Sequence, residues 1–122
     1  MATNGRVIVG CSHDEEDADR VVVAYLTGGA ALDQGKDVLM WLTSEGVRLA
    51  LAGYVDRIRA AQEPPVKRVH DQFIKKGGRF YVCPICFNER DLDETDLVQN
   101  AELQGATPLM QYAGEGAMTF TY

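Results

Sequence analysis

The residues with most chemical potential are Cys83 and Cys86, separated by Pro84 and Ile85. A thiol reacts as its thiolate, which nearby backbone donors or a cation favour. If Cys83 precedes a short helix, Pro84 falls at the first helical position, where proline fits, and Cys86 lies two residues further in. Two thiols at this spacing can close a redox disulfide, bind a metal, or use one sulfur as a nucleophile or sulfur carrier. A simpler reading makes both small apolar residues that complete the top of a core. Arg90, seven residues after Cys83, is positioned to return toward the sulfur and favour its anion.

The third cysteine, Cys11, lies in a loop with His13. It can support or resolve chemistry at Cys83, or pack as a buried thiol. His13 is expected as a loop or cap residue, and His70 as part of a partly exposed helix. A zinc set of Cys11, His13, Cys83 and Cys86 needs two distant loops to converge with tetrahedral geometry. No second closely spaced pair offers a four-cysteine site. Glu45 can position the loop after a central strand, although a charge at a helix start is its simpler role.

The elements carrying these residues alternate. Arg6 to Gly10 reads as a short strand, followed by a polar loop to Asp17. Ala18, Val21, Val22, Tyr25, Gly29 and Leu32 then recur at helical spacing, and Gly35 ends that helix. Val38 to Leu42 is continuously apolar, as expected of a central strand covered on both faces. A helix is predicted from Val47 toward Ala60, with an apolar surface broad enough to meet a second subunit or to be buried within one. Pro64 and Pro65 break the chain before a helix that places Val66, Val69, Phe73 and Ile74 inward, and Gly77-Gly78 ends it.

Phe80 to Val82 gives a strand that delivers Cys83. Asp93, Asp96 and the Leu92/Leu97 pair predict a capped helix running to about Gly105. A short segment at Thr107 to Met110 and a strand at Met118 to Tyr122 complete the chain. The order predicts an α/β fold with an open, mostly parallel sheet of about five strands in one domain over residues 1–122. Parallel strands place Cys11 and Cys83 on one edge; if the first and third strands are neighbours, the thiols share a cleft.

The 122 residues are 46% hydrophobic and 25% charged, a globular balance. Eighteen acidic and twelve basic side chains give a net charge of −6, which argues against sequence-independent nucleic-acid binding. Lys67, Arg68, Lys75 and Lys76 form the densest basic group, without interleaved aromatic residues to stack bases. No transmembrane run or secretory leader is read, and three cysteines make no extracellular disulfide pattern, so a cytoplasmic protein without membrane association is expected.

The ordered combination of the acidic helix start, Trp41-Leu42-Thr43-Ser44-Glu45-Gly46-Val47, the proline break, and Gly77-Gly78-Arg79-Phe80-Tyr81-Val82-Cys83-Pro84-Ile85-Cys86 with Arg90 resembles the DsrE/DsrF-like family of sulfur-relay and peroxiredoxin-like proteins. The resemblance implies a flavodoxin-like three-layer subunit, a homo-oligomer that is often a trimer or hexamer, and exchange with sulfur donor and acceptor proteins. It also implies a persulfide on the cysteine that matches Cys83, and it calls for no cofactor. Asp91 stands where the family signature has glycine after arginine. No standard peroxidatic constellation accompanies the thiols. Besides a sulfur-transfer or thiol-redox protein, two classes stay open: a non-catalytic oligomeric binding or scaffold module, and a metal-binding protein using the cysteine turn.

Overall fold

A computed structural model describes residues 4–58 and 65–122. Five parallel strands form one sheet: β1 (Arg6–Cys11), β2 (Asp37–Leu42), β3 (Arg79–Val82), β4 (Ala101–Leu103) and β5 (Met118–Thr121). Their spatial order is β4-β3-β2-β1-β5. The most apolar strand, β2, is central and buried on both sides, as its unbroken hydrophobic run requires.

Each connection from β1 to β4 steps one place in the same direction, and the last returns to the opposite edge. Right-handed crossovers therefore send the first connecting helices and the returning helix to opposite faces. Helices α1 (Ala18–Asp33) and α2 (Val66–Lys75) pack on Val7, Val9, Val38, Met40, Leu42, Phe80 and Val82. On the other face α4 (Ala106–Ala113) sets Leu109 and Tyr112 against Ile8 and Leu39, with Trp41 and Tyr81 beside them. The result is the predicted three-layer α/β sandwich.

Several local expectations change. The first and third strands are not neighbours, because β2 lies between them. The helix from Val47 toward Ala60 is instead two 3-10 segments, Ser44–Ala50 and Tyr54–Arg57; residues 59 and 60 lie outside the described residues, as does Pro64. Gly53 has φ of +79°, and Leu51 is extended, bridging antiparallel to Leu97. The amide of Ala52 donates to the Asp96 carbonyl and that of Val98 to the Ala50 carbonyl, both at 2.8 Å. These pairings use backbone groups that a helix would have bonded internally.

The same pairing stops the helix predicted after Asp93. Asp93 caps only a single 3-10 turn, Glu94–Asp96, and the chain then enters β4. Val47, Leu49, Ala50, Val55 and Ile58 are buried within the subunit, so the broad apolar surface is core and not a free face. His70 is also buried, at 4% exposure: the Tyr25 hydroxyl and His70 Nδ1 are 2.6 Å apart, and the imidazole stacks on Phe80.

Candidate functional site

Cys83 follows β3 directly. Its amide donates to the Leu42 carbonyl at 2.9 Å, extending the β2 ladder by one bond, and its carbonyl accepts the Phe87 amide at 3.0 Å, the first bond of α3 (Pro84–Glu89). Pro84 takes the first helical position, as predicted. Hydrogen bonds on both sides thus fix the backbone of Cys83. Cys83 and Cys86 are free thiols of intermediate exposure, and Ile85 between them is 73% exposed.

The loop after β2 closes the other side. Burial pushes the Cys86 thiol up; the Ser44 backbone hydrogen bond opposes that shift, and the adjacent Cys83 thiol adds to it. Ser44 has φ of 52°, in the left-handed region that a non-glycine residue occupies at some cost. Gly46 lets the loop lie against β1, since a Cβ there would come within 2.3 Å of the Cys11 carbonyl oxygen.

Arg90 returns to the site, where its charge favours the Cys86 thiolate against the larger opposing effect of burial. Its Nη1 donates to the Cys86 carbonyl at 3.0 Å, while Nε and Nη2 donate to Glu45 Oε2 at 3.0 and 2.7 Å. Arg48 holds the other Glu45 oxygen, Oε1, at 2.5 Å and lies 3.7 Å from Asp14 Oδ2. Asp14 is buried and accepts the Tyr54 hydroxyl at 2.9 Å. Hydrogen bonds from Arg90 and then Arg48 lower the Glu45 carboxyl below its ordinary range. Burial, then the Asp14 bond, pushes the Tyr54 phenol up to about 12.

Glu45 is therefore the hinge of a polar chain from Cys86 to the β1 loop, a larger part than a helix-start charge. Arg48, Asp14 and Tyr54 are members that the sequence reading missed. Asp14 and Arg48 are each only one surface charge among many in the sequence; the signal was their place in the loops after two adjacent parallel strands.

Cys11 and His13 do not join this group. Cys11 is 1% exposed, on the face under α1 and α2, and its sulfur donates to the His13 carbonyl. Burial pushes its thiol up to about 11, with Glu16, Asp14 and Asp17 adding to the rise. His13 Nδ1 pairs with Glu16 at 2.9 Å. Register sets Cys11 opposite Leu42, and Leu42 opposite Val82, so two strand spacings of roughly 10 Å in total separate the strand ends. The four-ligand zinc set is not assembled, and among the described residues no group of three or more His, Cys, Asp or Glu side chains is arranged to hold a metal.

A family model, that of the DsrE/DsrF-like family, matches residues 6–122. The chain belongs to the DsrE/DsrF-like family. Its fold is similar over 100% of both chains to the ychN protein from E. coli, with a TM-score of 0.75 at 16% identity. A protein of unknown function, MTH1491 from Methanobacterium thermoautotrophicum, is similar over 96% of this chain and 98% of its own, with a TM-score of 0.65 at 16% identity. An uncharacterized protein of Methanocaldococcus jannaschii, MJ0760, is 25% identical over 79% of this chain. The match spans only 35% of that longer relative.

In this DsrE/DsrF-like chain the departure from the family signature has a clear geometry. Asp91 takes φ of 53°, the left-handed conformation that glycine adopts most readily. The basic residues of α2 form no isolated patch: Lys67 pairs with Asp71 and Asp56, and Lys76 with Asp33. Among the described residues no helix is long and apolar enough to cross a membrane.

Proposed function

We propose that this protein is a cytoplasmic sulfur carrier or sulfurtransferase that holds sulfane sulfur on Cys83. The observation carrying this reading is the placement of a partly exposed thiol, with a second thiol beside it, at the end of β3 in a DsrE/DsrF-like chain. In the loading step the Cys83 thiolate attacks the outer sulfur of a donor persulfide. The donor S–S bond breaks, the donor leaves as a thiolate that takes up a proton, and Cys83 becomes a persulfide. An acceptor thiolate repeats the exchange and restores the Cys83 thiol.

Cys86 supplies a second outcome. Its attack on the inner sulfur of the Cys83 persulfide forms the Cys83–Cys86 disulfide and expels hydrosulfide, so a thiol-redox cycle competes with transfer and needs a dithiol reductant to reset. The closeness of the two thiols favours keeping this second reading. Intact-mass measurement after incubation with a sulfane-sulfur donor tests the assignment. One labile added sulfur is expected in Cys86→Ser, the same adduct together with the Cys83–Cys86 disulfide in the native protein, and no adduct in Cys83→Ser; the same adduct in Cys83→Ser would sink it.

A trimer or hexamer is part of the proposal. It is supported by exposed Met118 and Phe120 on edge strand β5, which border an apolar groove of about 350 Å³ against α1. Light scattering across dilution checks it. The scaffold alternative loses one of its two supports, the broad apolar face, since Val47, Leu49, Ala50, Val55 and Ile58 are buried.

A further inference from the structure

We propose that Arg48 and Arg90 form a receptor for an anionic group on the sulfur donor, and that the Glu45 carboxylate fills this receptor in the resting protein. The inference rests on the sulfur-transfer reading and names its donor class: a persulfide carrying a carboxylate or similar oxyanion near its sulfane sulfur.

The carboxylate of Glu45 is shared by two guanidinium groups from separate elements, Arg48 on Oε1 and Arg90 on Oε2. Arginine forks suit planar oxyanions, and two of them around one carboxylate make a bound-anion geometry. Both forks are anchored from behind. Arg90 spends its remaining polar contact on the Cys86 carbonyl at 3.0 Å, which fixes the receptor beside the thiol pair. Arg48 lies 3.7 Å from Asp14, which is itself held by Tyr54.

The exposed member is the anion. Glu45 is 39% exposed, against 21% for Arg90 and 27% for Arg48. Such partly exposed pairs contribute little net stability, so exchanging one carboxylate for another costs little. The donor's oxyanion takes the place of Glu45, which turns to solvent, and the donor's sulfur is brought to Cys83. The sulfur exchange then balances as above, with the receptor supplying orientation and no electrons.

Two alkylating agents of nearly equal size, iodoacetate and iodoacetamide, read the receptor because they differ in charge. Labelling of Cys83 and Cys86 is followed by mass spectrometry on the folded protein. Glu45→Gln frees both guanidiniums, and the iodoacetate-to-iodoacetamide rate ratio is expected to rise about tenfold. Replacing chloride by sulfate at constant ionic strength should then slow iodoacetate selectively, and adding Arg90→Met should remove both effects. If Glu45→Gln does not fold, Glu45→Asp shortens the carboxylate and should raise the ratio about threefold.

A ratio within about twofold of the native protein in a folded Glu45 variant overturns the receptor. Identical effects of sulfate and chloride also overturn it, since a general field would then account for the charge preference. Alkylation requires no sulfane sulfur, so failure here is distinguishable from failure of the Cys83 persulfide.

Discussion

Cys11 and Cys83 both lie at the carboxyl ends of parallel strands, Cys11 as the last residue of β1 and Cys83 one residue past β3, yet they differ in exposure. Cys11 points under α1 and α2, where it is 1% exposed. Below that face the Tyr25–His70 pair packs with Phe73 and Phe80. Cys83 stands where the chain turns into α3, partly exposed, with Cys86 and the Arg90–Glu45 pair alongside. Strand-end location therefore does not by itself expose a thiol. The next residues decide: Cys11 is followed by a loop that closes over it, whereas Cys83 is followed by a proline-started helix that carries the chain away.

The largest expected difference is in labelling. With its thiol pushed up to about 11 by burial, Cys11 has a thiolate fraction of about one in a thousand at pH 8, before access is considered. Iodoacetamide should therefore modify Cys83 in the folded protein at least about a hundredfold faster than Cys11, with equal rates only after unfolding in urea. Peptide mapping of the alkylated sites checks this. Rapid labelling of native Cys11 would erase the distinction between the two ends.

The sealed region should also respond to acid. Burial lowers His70 to about 4 from its ordinary 6.5, and Asp71, Lys67 and Asp56 are the charged groups that also act on it. Between those values the unfolded chain binds a proton that the folded chain does not, so stability falls as pH drops from about 6.5 toward 4. The full loss is about 3 kcal/mol. Urea titrations of the native protein and His70→Gln across this window should show the native slope exceeding that of the variant. Parallel pH dependences would mean that His70 accepts a proton in the fold, and that this region is less closed than its burial indicates.

These contrasts also explain what was legible in the sequence. The continuous run Val38 to Leu42 and the periodic faces of α1 and α2 state their burial directly, and a strand ending at Cys83 with proline next predicts α3. The segments from Val47 to Ile58 and from Asp93 to Gly105 were misread for one shared reason. Each has helical spacing, but Leu51 pairs with Leu97 and their neighbours exchange backbone bonds. Long-range pairing of that kind leaves no local signal. Strand β4 is only Ala101-Glu102-Leu103, too short for alternation to show. Thiol and arginine were visible as types; that Glu45 stands between Arg90 and Arg48 follows only from two adjacent loops.

The smallest effect concerns the open region. Asp91 adopts φ of 53° just after Arg90, a conformation glycine reaches without a Cβ penalty. Asp91→Gly should raise stability by up to about 1 kcal/mol, because relief of that penalty outweighs the extra freedom glycine gives the unfolded chain. Midpoints of urea unfolding at neutral pH measure it. The labelling rate of Cys83 should stay the same, since the Arg90 contacts to Glu45 and the Cys86 carbonyl do not use the Asp91 side chain. A drop in stability would reverse the argument: the aspartate would then hold the end of α3 by its own side chain, and the open end of the sheet would be fixed by more than the Arg90–Glu45 pair.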